Sequence, residues 1–206
     1  MSRRRLALIS VDGASGTAVA AAARAALTSI DRPLRGGVST WDASGLFQDV
    51  AVAEQEAGRP SVRTLLLLYA ADLAFRLRWE IRPTLAEGRI VVAAPYVDTA
   101  IALGRAAGLS SGWLANLFRF APKAAESRYV DPIPARAAAA DAGLLEFVLD
   151  RMVMPAELGR DRLVERTRAH VRTLARRGRR RAPARKRGRE SFSQDLGASK
   201  DSRPLF

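Results

Sequence analysis

Apolar residues along this chain recur in two patterns, short continuous runs and longer stretches with helical periodicity. Residues 6–9 are apolar and lead into a glycine-bearing loop, after which residues 18–30 are alanine-rich and contain no helix breaker. A strand, a glycine-bearing loop and a helix in this order favour an α/β fold whose first loop faces a ligand. The longest helical pattern covers residues 61–88 and ends at Gly88, which is suited to a left-handed C-terminal cap.

A buried strand is predicted directly after that helix. Residues 89–94 are almost continuously apolar, which is typical of a strand covered on both faces of a parallel sheet. The pattern therefore predicts an α/β fold, a mostly parallel sheet with helices on both faces. The remaining predicted elements are a weak strand at residues 38–42, a short strand at 128–131, and helices at 44–57, 99–107, 111–120, 135–152 and 160–176.

Composition removes several classes of chemistry. The chain of 206 residues has no cysteine and a single histidine, His170. Disulfides, thiol nucleophiles and thiolate metal sites are therefore excluded, and a transition-metal site has almost no ligands to use, so we predict none. The apolar stretch near the N-terminus is far too short for a membrane span or a signal-peptide core. We therefore expect a cytoplasmic protein that does not enter a membrane.

The net charge of +13 is concentrated near the C-terminus. Residues 1–158 carry 18 basic and 16 acidic side chains, a net of +2, whereas residues 159–206 carry 16 basic and 5 acidic side chains, a net of +11. From Arg177 onward there are too few apolar residues to build a core. We therefore predict an α/β domain at residues 1–176 and a basic, disordered tail at residues 177–206.

The basic tail has two interpretations. Nine of residues 176–189, from Arg176 to Arg189, are Arg or Lys, and such a run binds phosphate backbones without sequence preference. It serves equally well as a solubilising extension or as a docking segment for an acidic partner. The segment has no aromatic residues, so base stacking gives no support to the nucleic-acid interpretation.

Four short motifs occur in order in the chain: LLYAADL at residues 67–73, IRPTLAEG at 81–88, VVAAPYVD at 91–98 and WLANLFRFAP at 113–122. In this order and spacing they resemble thymidylate kinases, a family of P-loop nucleoside monophosphate kinases, over about residues 5–134. The resemblance implies a P-loop NTPase-like fold, ATP and Mg²⁺ as cofactors, and a homodimer, which the broad apolar surface of residues 61–88 fits. The family's last apolar strand has no counterpart, so we expect the sheet to be shortened at its C-terminal edge.

The phosphate-binding loop departs from the family pattern. Such a loop needs glycines that let backbone N–H groups wrap the phosphates, a Lys for the β- and γ-oxygens, and a Ser or Thr for Mg²⁺. Overlaying the family's Gly-x-Asp-Gly-x-Gly-Lys-Ser/Thr keeps Asp12, Gly13 and Thr17 in register but places Gly16 on the lysine, and the first lysine in the chain is Lys123. We therefore assign these four loop residues to a degenerate phosphate loop and assign no catalytic residue.

The acceptor side also lacks its family residues. The family's Asp-Arg-Tyr after the buried strand is Ala-Pro-Tyr here, ending at Tyr96, and the arginine that reads the thymine edge is Leu73. The resemblance leaves Tyr69, at the position of the base-stacking aromatic, together with Asp72 and Tyr96 as substrate-binding candidates. Tyr69 equally fits the core of an apolar helix, and Asp12 fits either a ligand of Mg²⁺ or water, or a cap of the first helix.

Three functional hypotheses follow from these residues. The first is a thymidylate kinase-like protein without catalytic activity, a dimeric scaffold or regulator that keeps weak nucleotide binding at most. The second is a divergent dTMP kinase in which an arginine such as Arg35 or Arg105 replaces the missing lysine. The third is a nucleic-acid-associated protein that acts through its basic tail.

Overall fold

The sheet has four parallel strands in the residues that the computed structural model describes, which are 7–130, 143–154 and 157–181. The strands are β1 (Leu8–Gly13), β2 (Arg35–Thr40), β3 (Ile90–Ala94) and β4 (Glu126–Val130). Their order across the sheet is β2–β3–β1–β4, and all neighbouring pairs are parallel. Within the described residues the sheet ends at β4 on one side and at β2 on the other.

The helices lie between and after the strands. They are α1 (Gly16–Thr28), α2 (Leu46–Ala57), α3 (Val62–Arg76), α4 (Arg82–Ala86), α5 (Val97–Ala106), α6 (Ser111–Leu117), α7 (Leu144–Arg151) and α8 (Arg160–Arg181). Helix α8 continues past the predicted domain boundary at residue 176. The predicted tail from residue 182 onward, and the first part of the predicted helix at 135–152, lie outside the described residues. No helix in the described part of the chain is long and apolar enough to cross a membrane.

The core has two parts because side chains of the central strands alternate between the two faces of the sheet. On one face, Ile9 and Val11 of β1 pack with Val92 of β3 against the alanine-rich α1. On the other face, Leu8 and Val91 belong to a larger cluster that includes buried residues of α3, α5, α7 and α8. The predicted α/β class, with a parallel sheet and helices on both faces, is confirmed.

A proline lies inside the long predicted helix. Proline has no backbone N–H, so Pro83 cannot donate to the carbonyl one turn back. The helix passes this point through a π-helical turn, Leu77–Ile81, in which the N–H of Arg82 donates to the carbonyl of Leu77, five residues back. The helical segment ends where the sequence predicts, with Gly88 at φ +79°.

Strand β2 begins at Arg35, three residues before the predicted strand. Two consecutive glycines weaken the strand pattern in the sequence, and the pairing with β3 shifts its register between Arg35 and Gly37. Gly36 lets β2 lie close to both α4 and β3. A Cβ at this position would lie 2.4 Å from Thr84 Cγ2 and 2.8 Å from the carbonyl oxygen of Ile90.

This close approach predicts the effect of a single methyl group. Gly36→Ala should lower the free energy of unfolding by about 1–3 kcal/mol, because a backbone carbonyl cannot move aside as a side chain can. Gly112→Ala is the matched control, since its Cβ would meet nothing within 4 Å and alanine is favoured over glycine in α6 by up to about 1 kcal/mol. Urea unfolding of both variants makes the measurement, and equal effects would contradict the packing at β2.

Candidate functional site

The first loop joins β1 to α1 and presents the N-terminus of that helix. Ser15 is the N-cap: its Oγ accepts a hydrogen bond from the N–H of Ala18 (3.5 Å) and lies 3.2 Å from Thr17 Oγ1. The free N–H groups and the dipole of a helix N-terminus favour an anion. The loop thus keeps the general form of a phosphate site, although Gly16 stands at the position of the lysine.

The anion at this helix N-terminus is the side chain of Glu146 in α7. Its Oε1 accepts a hydrogen bond of 3.0 Å from the N–H of Gly16. Its Oε2 is buried and has no hydrogen-bond partner among the described residues. The start of α7 lies directly on the loop, since a Cβ on Gly143 would be 2.4 Å from Gly16 Cα. A protein carboxylate therefore uses the N–H that a bound phosphate would use.

Aromatic and ionic contacts hold α7 over the loop. The ring of Phe147 packs edge to face against Trp41 and Phe47, with centroid distances of 5.6 and 5.2 Å. At the other end of α7, Arg151 forms an ion pair of 2.7 Å with Glu54 of α2. The contact between Glu146 and the loop is therefore part of a packed arrangement of α7 against α2 and the loop after β2.

A cavity of about 400 Å³ remains beside these contacts. It is bounded by the first loop, by the carboxyl ends of β2 and β3 and by the start of α7, which is the edge where parallel sheets bind ligands. Its polar lining includes Arg24 of α1, Thr40 at the end of β2 and Thr99 of α5. Arg24 is the one cation among the described lining residues.

Asp12 is buried and directed towards the loop after β3. Its Oδ1 accepts hydrogen bonds from the N–H of Tyr96 (3.0 Å), the N–H of Thr99 (2.9 Å) and Thr99 Oγ1 (2.9 Å). Burial, with a smaller contribution from Asp98, raises the pKa of Asp12 to about 7. Ser15 rather than Asp12 caps the first helix, and Asp12 Oδ1 binds the loop after β3. The role of Asp12 as a ligand of Mg²⁺ or water stays a prediction.

The two tyrosines assigned to a substrate are core residues. Tyr69 has no exposed surface, and its hydroxyl donates to the carbonyls of Pro95 (3.0 Å) and Tyr96 (2.6 Å). Tyr96 is 4% exposed and donates its hydroxyl to the carbonyl of Pro122 at 2.7 Å. Protein encloses both rings, so the geometry favours the core interpretation of Tyr69 over base stacking.

Asp72 organises the loop after β2. Its Oδ1 accepts from the N–H (3.0 Å) and Oγ (2.8 Å) of Ser44, and its Oδ2 accepts from the N–H of Asp42 (3.0 Å). Arg76 is also fully buried, and its Nη1 lies 4.0 Å from Asp72 Oδ2. Its Nε donates to the hydroxyl of Ser39 and its Nη2 to the carbonyl of Ser39. Asp72 and Arg76 thus connect α3 to the end of β2, and the bonding of Asp72 is accounted for without a substrate.

Neither arginine named as a substitute for the lysine reaches the loop. Arg35 lies at the amino end of β2, whereas the first loop follows the carboxyl end of β1. Arg35 donates to the carbonyls of Ile30 and Thr28, both at 2.7 Å. Arg105 of α5 donates to Ser111 Oγ at 3.1 and 2.7 Å. Within the described residues no three His, Cys, Asp or Glu side chains are arranged to hold a metal ion.

Sequence reasoning missed the residues that define this site in the folded protein. Glu146 and Phe147 come from α7, whereas Trp41 comes from the loop after β2, so only the tertiary fold brings them together. Glu146 lies in the first turn of the observed α7, but the predicted helix at 135–152 places it in the second half of a helix, so no signal in the sequence marked it. Arg24 and Arg76 have no distinguishing pattern, since arginine is an ordinary helix residue.

The comparisons with known proteins agree with the fold. No protein-family model matches the sequence, and no curated protein matches it. Among solved structures, the chain is similar to the thymidylate kinase from Ehrlichia chaffeensis, with a TM-score of 0.59 and 15% sequence identity over 83% of this chain and 81% of that one. At this identity the likeness establishes a thymidylate kinase-like fold, which the sequence motifs predict, and nothing more specific.

The raised pKa of Asp12 predicts how stability depends on pH. Between about pH 4 and pH 7 the unfolded chain carries an ionised Asp12 while the folded protein keeps the proton, so the free energy of unfolding should fall as pH rises through this window. The loss attributable to Asp12 is at most about 4 kcal/mol. Asp12→Asn should remove this part of the pH dependence and keep the Oδ1 acceptor.

Urea unfolding at pH 4.5, 6 and 7.5 makes this measurement. Asp31→Asn is the control, because Asp31 is exposed and lies at the opposite edge of the sheet. If wild type and Asp12→Asn show parallel pH profiles, the carboxyl group of Asp12 does not keep its proton in the folded protein.

Proposed function

We propose that this chain is a thymidylate kinase-like protein without phosphoryl-transfer activity, which acts as a homodimeric scaffold or regulator. The observation that carries the proposal is the hydrogen bond of 3.0 Å from the N–H of Gly16 to Glu146 Oε1. A carboxylate of the protein satisfies the helix N-terminus at the point where a nucleotide phosphate would bind. The loop that surrounds this bond has no lysine.

The chemistry of phosphoryl transfer explains why this arrangement is unfavourable for a kinase. Such enzymes work almost entirely by positioning the phosphates and neutralising their charge. A phosphate approaching Gly16 meets the negative charge of Glu146 and finds no ammonium group in compensation. Asp12, a further carboxylate of the loop, already binds the backbone of Tyr96 and Thr99.

Titration calorimetry and an ADP-release assay test the proposal. The wild-type protein should release no ADP from ATP–Mg²⁺ and dTMP above a heat-killed control. Glu146→Ala should bind pyrophosphate at least about tenfold more tightly than wild type, because it frees the N–H of Gly16 and removes a like charge, a gain of about 1.4 kcal/mol. It should still release no ADP, because the lysine is missing.

Glu87→Ala is the matched control for this experiment, since it removes an exposed carboxylate at the opposite end of β3. Its affinity for pyrophosphate should equal that of wild type. Turnover by the wild-type protein would overturn the assignment of an inactive kinase-like protein. Equal pyrophosphate affinities of wild type and Glu146→Ala would show that Glu146 does not occupy the anion site.

Arg24 favours a second candidate function, a divergent dTMP kinase. Its side chain lines the cavity next to the first loop, where a cation is able to reach a bound phosphate. If ADP release is observed, Arg24→Gln should abolish it, whereas Arg35→Gln should not, because Arg35 lies at the opposite edge of the sheet.

The homodimer is supported by an apolar stripe on the long helical segment. Leu67, Ala71 and Phe75 recur every four residues on the exposed face of α3, and Trp79 follows in the π-helical turn. Leu67 is 50% and Trp79 64% exposed, which is high for large apolar side chains on one continuous surface. A second copy of the chain would cover this stripe.

Charge introduced into the stripe should separate the two copies. Leu67→Glu combined with Trp79→Glu should convert a dimer into a monomer without loss of helix content, because neither side chain belongs to the core. Val153→Glu is the control, since Val153 is 56% exposed and lies outside the stripe. Sedimentation velocity measures the masses, and a wild-type protein that is monomeric at 100 μM (about a hundredfold above a typical micromolar Kd) would contradict the dimer.

A further inference from the structure

Helix α8 separates a buried line of residues from an exposed basic line. Leu163, Thr167 and Val171 recur every four residues and are buried against α5, β4 and β1. The adjacent line carries Arg162, Arg166 and His170, again four residues apart, so these side chains lie on one side of the helix. The packing of α8 on the domain therefore fixes the direction in which this basic line faces.

The charge of α8 is only partly neutralised. The helix contains ten arginines and two acidic residues. Arg168 is paired with Glu165 and Arg160 with Asp150, both at 2.6 Å. Arg162 and Arg166 are exposed and have no carboxylate partner in the described part of the chain, and Arg162 makes one contact with a backbone carbonyl at 3.4 Å.

Helix α5 adds a further cation beside this line. Both Nε and Nη2 of Arg105 donate to Ser111 Oγ, which orients the guanidinium group without reducing its charge. The pKa of His170 lies below its ordinary value, first because of burial and then because of the charges of Arg105 and Arg166. Arg105 and Arg166 thus lie close enough to His170 to act on its ring, and no carboxylate among the described residues offsets their charge there.

We propose that the basic surface formed by Arg105, Arg162 and Arg166 around His170 binds the phosphate backbone of double-stranded nucleic acid without sequence preference. This proposal goes beyond the kinase-like site and does not depend on it, because the surface is built from α5 and α8 rather than from the first loop.

Arginine spacing and chemistry favour a nucleic-acid backbone over an acidic protein. Residues four apart on a helix are about 6 Å apart along its axis, and duplex DNA carries one negative charge per about 1.7 Å, so each arginine meets a phosphate in many registers. The planar guanidinium group matches phosphate oxygens in pairs. The line has no exposed aromatic or large apolar side chain of the kind that anchors a protein interface.

Fluorescence anisotropy of a labelled duplex of about two helical turns (~20 base pairs) tests the proposal on the full chain. In Arg162→Gln/Arg166→Gln, the slope of log Kobs against log salt should fall in magnitude by about 2 between 50 and 200 mM salt. Affinity near 0.1 M salt should fall by about tenfold for each arginine removed. The residues after 181 are present in every protein compared, so their contribution cancels.

Two further variants serve as controls, one for charge removed elsewhere and one for charge kept at the same positions. Arg32→Gln/Arg89→Gln removes the same charge at exposed positions near the opposite edge of the sheet and should change the slope by less than half as much. Arg162→Lys/Arg166→Lys keeps the charge at both positions and should keep most of the slope. This result would show that the Gln variant loses slope through lost charge and not through unfolding of the helix. Equal losses in the two Gln variants, an unchanged slope, or tighter binding to polyglutamate than to the duplex would each overturn the proposal.

Discussion

The site depends on the need of the first helix for an anion at its N-terminus. The N–H of Gly16 points out of α1 without a partner inside the helix, and Glu146 supplies the acceptor. To make this bond, the start of α7 must lie against the loop, where only a glycine fits at residue 143. The same placement brings Phe147 into contact with Trp41 and Phe47. The bond to the N–H of Gly16, together with the aromatic contacts of Phe147 and the ion pair of Arg151, thus places α7 against the edge of the sheet.

Two other carboxylates, those of Asp12 and Asp72, also accept hydrogen bonds from loops of the protein. Asp12 binds the loop after β3, and Asp72 binds the loop after β2, both through backbone N–H groups. Loops at the carboxyl edge of a parallel sheet usually leave such donors for a ligand. Here the donors are satisfied by the protein, and Arg76 adds a buried cation beside Asp72 that a ligand cannot reach. Asp12 Oδ2, Arg76 Nη1 and Glu146 Oε2 are buried without a hydrogen-bond partner among the described residues, and the cavity beside Arg24 is the part of this edge left open.

The sequence predicted the fold better than the site, and the reason is physical. Strand β3, α3 and the cap at Gly88 follow from local patterns that depend only on neighbouring residues. The start of β2 was predicted three residues too late, because Gly36 and Gly37 have no side chains and interrupt the strand pattern in the sequence. The partnership of Glu146 with Gly16 joins residues 130 positions apart, and no local pattern encodes it. Family motifs pointed to Tyr69 and Asp72, but a motif fixes position rather than side-chain exposure, and both side chains are buried.

The distribution of charge connects these features to function. At the first loop, a protein carboxylate already accepts from the N–H of Gly16, the donor that the proposed function assigns to a phosphate. On α8, by contrast, Arg162 and Arg166 are exposed and lack carboxylate partners within the described residues. The attraction of a phosphate depends on unneutralised positive charge near water-accessible surface, which is the physical reason that we propose phosphate binding on α8 and not at the loop. The two proposals together place the surface best suited to phosphate on α8 rather than at the carboxyl edge of the sheet.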